Sequence, residues 1–312
     1  MYVCAMRTRL FAAFAAVYII WGSTYLAIRF AVETLPPLLM AGARFASAGL
    51  ILLLWARLRE GGPGPTRRDW ITGLVSGSLL LLAGNGLVVW AEQRVPSGIA
   101  ALLAAVVPLW MVLLDWARPG GKRPAGVMFV GVALGLGGLV LLVGPDALTG
   151  HGDISMSGAG ALVLASLAWA AGSLYTKHAP RASSGIHGAA TQMIAGGICL
   201  WIVAVMVGEP SHMDLAHASR RSVLGLLYLI TFGSIIGFTS YVYLLAHTTA
   251  AKAATYAYVN PVVAVLLGWA LAHEPITQRT ILAAGVILAA VAIITFSQDE
   301  AVSEVTPKRA AA

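Results

Sequence analysis

Apolar stretches of about 20 residues recur along almost the whole chain, and they limit the possible folds more than any other feature. In a bilayer every backbone polar group must be satisfied internally, so stretches of this length cross it as helices. Of the 312 residues, 59% are hydrophobic and 11% are charged, whereas a soluble domain is about a quarter charged. We therefore predict an all-α integral membrane protein with ten transmembrane helices, at 10–31, 36–56, 70–91, 97–117, 125–143, 156–177, 187–207, 222–245, 252–272 and 279–297.

The two halves of the chain repeat each other. Pro108 and Pro261 stand 153 residues apart in similar apolar stretches, and Trp21 and Trp169 stand 148 residues apart. Five spans per half is an odd number, so the second half enters the membrane upside down relative to the first. We predict two inverted five-helix repeats, at 1–147 and 148–298, followed by a polar cytoplasmic tail at 299–312.

The positive charges of the loops predict the orientation. With the N-terminus inside, 14 of the 20 lysines and arginines lie in cytoplasmic loops or ends and 5 lie outside, while Arg44 lies within a span. Both termini are therefore predicted in the cytoplasm of a multi-pass inner (plasma) membrane protein. The net charge of +7 belongs to this loop pattern, so the lipid bilayer is the expected partner and nucleic acid is not.

Several classes of chemistry lack their sequence signatures. The chain has no G-x-x-x-x-G-K-[ST] loop, no HExxH and no G-x-S-x-G, and its seven histidines and two cysteines have no metal-ligand spacing. We expect no enzymatic activity, no cofactor and no metal site.

Paired proline-interrupted spans are the best sequence indication of a transporter's binding site. Pro108 and Pro261 each remove a backbone donor near the middle of an apolar span, which disturbs the preceding turn. Such a disturbance is tolerated in lipid only against neighbouring protein or a water-lined cavity. We predict helix breaks with a gating role at both prolines.

The order and duplication of several motifs carry a resemblance to a known family. These are W-G-S-T-Y in the first span, A-R-F-A-S-A-G in the second, W-A-E-Q-x-V-P-S-G-x-A-A-L-L across the third and fourth, and Y-V-N-P-V-V-A-V-L-L-G-W-x-L-x-x-E-P in the ninth. Over about residues 10–297 the chain resembles EamA-type members of the drug/metabolite transporter superfamily. The resemblance implies a ten-helix inner-membrane carrier that exports amino acids, related metabolites or toxic small molecules. In one departure, Arg118-Pro119 replaces the acidic residue that closes the fourth span, whereas Glu274-Pro275 is present in the second half.

Polar and aromatic residues at helical spacing near mid-span are the candidate cargo contacts. A face bearing an indole and hydroxyls is a poor surface for lipid, so we favour cavity lining over a packing seam with interfacial tryptophans. For Asn85 the alternative is ordinary interhelical bonding, and for Asn260 it is capping of the kink at Pro261. The predicted substrate-binding residues are Trp21, Tyr25, Asn85, Trp169, Tyr241, Tyr256 and Asn260.

Arg44 is the intramembrane charge of the chain, and such a charge needs a partner or water. It could bind a substrate carboxylate with its guanidinium fork. It could instead cap free carbonyls near Pro108 or pair with Glu33 or Glu92. We favour a structural role.

The predicted function is secondary export of small metabolites, such as amino acids or related amphipathic compounds, by alternating access. The partner is a small-molecule substrate, and we expect a monomer. The alternative is a multidrug or toxic-compound exporter that works by proton antiport; a membrane-embedded enzyme or a channel is less favoured. The candidate proton carriers are Glu92, Asp115 and Glu274, all toward span ends, and we predict no buried acid at mid-membrane.

Overall fold

The structure is a computed structural model that describes residues 2–60, 64–119, 126–143, 155–179, 184–214, 216–248 and 250–303. Each of the ten predicted stretches contains a helix, and the described residues contain no strand, which confirms the all-α prediction. A short helix, Ala250–Ala253, precedes the ninth. The main helices are α1 (Tyr2–Ala31), α2 (Pro37–Glu60), α3 (Arg67–Ala91), α4 (Ser97–Ala117), α5 (Gly126–Val143), α6 (Met156–His178), α7 (Gly185–Met206), α8 (Arg220–His247), α9 (Tyr256–Ala272) and α10 (Gln278–Ser303).

The outer surface of the described helices is apolar. Ile19, Leu164 and Ile202 are 65, 58 and 54% exposed, which suits contact with lipid chains. Seven described helices are long and apolar enough to cross a membrane, and α9 and α10 contain the shorter apolar segments Val259–Ala272 and Gln278–Ala290. The structure therefore supports a multi-span membrane protein, and the count of ten spans in two inverted repeats stays a prediction.

Two predicted boundaries, between the repeats and before the tail, can be compared with the structure. The boundary between 147 and 148 lies outside the described residues. The predicted tail begins at 299, but α10 continues as a helix to Ser303, and residues 304–312 lie outside the described part of the chain.

The two prolines differ in their relation to the helix breaks. Helix α4 consists of Ser97–Ala104 and Val107–Ala117, and Pro108 begins the second segment directly after the interruption. Pro261 instead lies inside the continuous helix α9. The interruption in that region comes earlier, at residues 254–255. The predicted break at Pro261 is therefore misplaced, because α9 retains its helical path around the proline ring.

Helices α3 and α8 contain wide π-helical turns at corresponding positions. These are Ser78–Gly86 in α3 and Leu229–Phe238 in α8. Such turns are rare, and they occur frequently at functional sites because they re-aim side chains. Here both segments contribute residues to the central cavity described below.

Close helix packing depends on small residues at one prominent interface. Helices α2 and α7 pack against each other extensively. A Cβ on Gly49 of α2 would lie 2.9 Å from the carbonyl oxygen of Ala190, and one on Gly197 of α7 would lie 2.7 Å from the backbone nitrogen of Ala46. Small residues let backbones approach in this way in membrane proteins. The pairs α2–α7 and α5–α10 flank a centre in which α1 packs on α9 and α8, and α6 packs on α3 and α4.

Candidate functional site

A cavity of about 80 Å³ lies at the centre of the bundle, bounded by α1, α2, α3, α4, α6, α8 and α9. Most of the predicted cargo contacts meet there, although they come from separate helices. The residues Trp21, Tyr25, Asn85, Trp169, Tyr256 and Asn260 line it, and so does Arg44. Tyr241 does not line it; its side chain is fully buried behind the cavity wall.

Four aromatic rings form a cluster on one side of the cavity. Trp21 meets Trp169 edge-on with ring centroids 5.3 Å apart, and it meets Tyr256 in the same way at 5.3 Å. Tyr241 completes the cluster at 4.9 Å from Trp21 and 5.6 Å from Trp169. These distances are typical of attractive aromatic pairs, so the rings support one another. We call these four residues the aromatic cluster.

Hydrogen bonds hold the aromatic cluster in place. Trp21 donates its indole N–H to the carbonyl of Gly233, at 3.1 Å, in the π-helical segment of α8. The hydroxyls of Tyr241 and Ser173 share a hydrogen bond of 2.6 Å. The indole of Trp21 also lies against Gly237, where a Cβ would overlap it. The Gly-x-x-x-Gly spacing of Gly233 and Gly237 is typical of close packing in membrane proteins, and here Gly237 makes room for the indole ring.

Arg44 is buried, with 3% of its surface exposed. Its Nε donates to Ser234 Oγ at 2.8 Å, and its guanidinium lies 4.5 Å from the ring centroid of Phe45. Its Nη1 has no hydrogen-bond partner. Neither acid that the sequence offered as a partner pairs with it: Glu33 lies 3.5 Å from Arg221, and Glu92 has no hydrogen-bond partner. Arg44 therefore anchors the π-helical segment of α8 and keeps one free donor at the cavity.

Two further polar atoms of the cavity wall are buried without a hydrogen-bond partner: Asn85 Oδ1 and Trp169 Nε1. An unpaired buried polar group costs about 1–3 kcal/mol, so a ligand or water that forms a hydrogen bond with such an atom recovers that free energy. Together with Arg44 Nη1 they present two donors and one acceptor. The arrangement suits an amphipathic molecule with both an acceptor and a donor group.

Asn260 serves the structure as well as the cavity wall. With its amide oriented to match its surroundings, Nδ2 donates to the carbonyl of Tyr18 at 3.0 Å and to that of Tyr256 at 3.3 Å. These contacts tie α9 to α1. Of the two roles that the sequence left open, capping of the backbone near Pro261 is the one with partners in the structure.

One end of the bundle is closed by a carboxylate. Glu274 accepts hydrogen bonds from the backbone N–H groups of Ser97, at 2.9 Å, and Gly98, at 3.1 Å. The Ser97 hydroxyl donates to it as well, at 2.8 Å, and Arg29 forms an ion pair with it at 3.1 Å. A negative charge at a helix N-terminus is stabilising. Glu274 thus caps α4 from the loop after α9, and we call this region the Glu274 end.

The opposite end lacks a carboxylate in the equivalent place among the described residues. Lys177 there donates to the carbonyls of Thr248, at 2.6 Å, and Leu245, at 3.3 Å. A pocket of about 600 Å³ opens beside it, and Asp69, Gln192 and His247 contribute to its wall. We call this region the Lys177 end.

Glu92 lies at a span end, as expected from the sequence, and its burial there is a feature that the sequence did not predict. It directly follows α3 at the Glu274 end, yet only 3% of its surface is exposed, and neither carboxylate oxygen has a hydrogen-bond partner. Asp115, another candidate acid, is exposed and pairs with Arg118 at 2.6 Å. In the part of the chain that the structure describes, no three His, Cys, Asp or Glu residues are grouped so as to hold a metal ion.

Comparisons with known proteins agree with this architecture. The model of the EamA-like transporter family matches residues 8–144 and 156–296. The chain is 42% identical over 290 residues to "Uncharacterized inner membrane transporter YedA" of Escherichia coli (strain K12), covering 93% of this chain and 91% of that protein. It is 25% identical over 288 residues to the chloroplastic "WAT1-related protein At3g02690" of Arabidopsis thaliana, covering 90% and 68%.

A solved crystal structure shares the fold. It superimposes with a TM-score of 0.64 at 18% identity, covering 93% of this chain and 98% of that one. The family model accounts for nearly the whole chain in two stretches, and the name of the Escherichia coli relative describes an inner-membrane transporter. This chain therefore belongs to the EamA-like transporter family.

Proposed function

We propose that this protein is a secondary carrier that exports small amphipathic metabolites bearing a carboxylate, such as amino acids, across the inner membrane. One observation carries the proposal: Arg44 Nη1 and Asn85 Oδ1 lack partners beside a central cavity that Trp21, Trp169 and Tyr256 also line. A cargo carboxylate accepts from Arg44, a cargo ammonium donates to Asn85, and the aromatic cluster takes the apolar part of the cargo.

The two ends of the bundle support alternating access as the mechanism. The Glu274 end is closed by the contacts of Glu274 with α4 and Arg29, while a pocket of about 600 Å³ opens at the Lys177 end. With both termini in the cytoplasm, as the loop charges predict, the Lys177 end faces the cytoplasm and takes up cargo. Release to the other side then requires the Glu274 contacts to open, with the carrier acting as a monomer.

Counterflow in proteoliposomes tests the proposal. Vesicles preloaded with unlabelled L-phenylalanine should take up labelled L-phenylalanine in a saturable way. Arg44→Gln removes the donor for the carboxylate, so its apparent affinity should fall roughly 30-fold, about 2 kcal/mol for a hydrogen bond to a charged group. Leu164→Ala, at an exposed position facing outward, is the matched control.

Competitors separate the carboxylate from the rest of the cargo. We expect 3-phenylpropionate to compete with L-phenylalanine and the neutral 3-phenylpropionamide to compete weakly. Uptake that rises linearly with concentration and shows no counterflow would indicate a channel. Equal competition by the acid and the amide would contradict the role of Arg44 as the carboxylate ligand.

A further inference from the structure

Glu92 is the one described carboxylate that is buried and has no hydrogen-bond partner for either oxygen. The backbone N–H of Arg29 faces it but lies outside hydrogen-bond geometry. Glu92 is one turn beyond Val88 and two turns beyond Asn85, which both line the cavity, so it shares their face of α3. A buried ionised carboxylate without partners is costly, and it lowers that cost by taking up a proton.

The charged and titratable groups around Glu92 come from three elements. Arg29 and Tyr25 face it from α1, Arg44 faces it from α2, and Glu274 faces it from the loop after α9. Burial raises the pKa of Glu92, and the charge of Glu274 raises it further, whereas Arg29 and Arg44 lower it. Arg29 is shared with Glu274, which it meets at 3.1 Å, whereas Arg44 has Glu92 as its opposing charge.

The balance of charge couples Glu92 to the cavity. With the cavity empty, an ionised Glu92 offsets the positive charge of Arg44. A cargo carboxylate bound to Arg44 Nη1 brings a second negative charge into the same buried region. Two carboxylates that share one site do not both stay ionised, because like charges in a low dielectric raise the proton affinity of one of them. The carboxylate that lacks hydrogen bonds, Glu92, is the one that accepts the proton.

We infer that Glu92 is a proton-binding site and that it takes up one proton from water when a cargo carboxylate binds to Arg44. The inference rests on the proposed function. In this step one carboxylate and one proton give one carboxylic acid, and no other bond changes. The proton crosses with the cargo, so a simple monocarboxylate moves without net charge and a zwitterionic amino acid moves with one net positive charge. The affinity of the carrier for the cargo carboxylate then falls as the pH rises above the pKa of Glu92 in the empty carrier, by up to tenfold per pH unit.

Infrared titration of the purified, cargo-free protein tests the proton site directly. The wild type should show a buried carboxylic-acid C=O band that disappears as the pH is raised. Glu92→Gln, which keeps the shape of the side chain, should lack that band. Glu33→Gln, at a partly exposed ion pair with Arg221, should retain it. A band that persists in Glu92→Gln, or no band in the wild type, overturns the assignment.

Proton uptake on binding tests the link to cargo. In weakly buffered solution, at a pH where the cargo-free protein no longer shows the carboxylic-acid band, wild-type protein should take up about one proton per bound 3-phenylpropionate, as expected for one linked site. Glu92→Gln should bind the probe with no uptake and with pH-independent affinity. The amide 3-phenylpropionamide is the uncharged control. Proton release, as in antiport, or binding without uptake in the wild type overturns the inference.

The two experiments separate the two proposals. If radiolabelled 3-phenylpropionate does not bind to the wild type, the proposed cargo class fails and the link to Glu92 fails with it. The infrared titration still decides whether Glu92 binds a proton. If the probe binds but the band does not depend on Glu92, the proposed function stands and the proton site is refuted.

Discussion

At the scale of single residues, the contact between Trp21 and Gly237 decides the shape of the cavity wall. A Cβ at position 237 would overlap the indole of Trp21, which also donates to Gly233. We expect Gly237→Ala to displace Trp21 and to weaken cargo binding, with a cost of about 1–3 kcal/mol from overpacking. Counterflow affinity and thermal unfolding in detergent measure the two effects.

Gly160→Ala is the matched control for that substitution. A Cβ at Gly160 meets no other atom within 4 Å, so the same change there should leave affinity and unfolding temperature close to the wild type. Equal effects of the two alanines would show that helix propensity, not contact with Trp21, is responsible.

Tyr256 is expected to influence which cargo is preferred. Its side chain lines the cavity and lies edge-on to Trp21 and Tyr241. Tyr256→Ala removes a ring of the aromatic cluster, so the order of preference among aromatic and aliphatic amino acids should change in competition assays. Val262→Ala, in the same helix and 45% exposed, should preserve the order. An unchanged order in Tyr256→Ala would remove Tyr256 from the cargo site.

At the scale of helices, the cap on α4 is the contact most open to test. Glu274 accepts from two backbone N–H groups at the start of α4 and pairs with Arg29. Glu274→Ala leaves those groups without their acceptor, so we expect a loss of about 1–2 kcal/mol in the free energy of unfolding. Thermal unfolding in detergent measures this loss.

The control for the cap is Glu33→Ala, which breaks a partly exposed ion pair with Arg221 and should cost less than about 1 kcal/mol. Opening of the Glu274 end should also increase labelling of a cysteine placed at Ser97. No change in either stability or labelling in Glu274→Ala would show that α4 does not depend on this carboxylate.

At the scale of the whole molecule, the loop charges and the odd number of spans per half predict the topology. A reporter fused after Ala312 should read cytoplasmic, and one inserted at Ala147 should read periplasmic. Both positions lie outside the described residues, so the reporters do not interrupt a described helix. If both report the same side of the membrane, either the ten-span count or the inverted repeat is wrong.

The sequence by itself determined the positions of the helices. An apolar run about as long as a membrane span forms a helix in lipid, because a helix satisfies every backbone hydrogen bond within the run itself. The family followed from the order of short motifs, which is also read along the chain. Helical spacing and mid-span position were enough to place Trp21, Trp169 and Asn85 on a cavity, because the polar groups of these side chains find no hydrogen-bond partner among lipid chains.

The tertiary structure alone decided the partners and the burial of the polar groups. Trp21 bonds to a carbonyl 212 positions away, and Arg44 bonds to a serine 190 positions away. Hydropathy cannot reveal such pairs, because an apolar helix has no polar face to mark the side that meets protein. For the same reason the sequence placed Glu92 at the end of a span, whereas its burial beside Arg44 depends on how α1, α2 and α3 pack together.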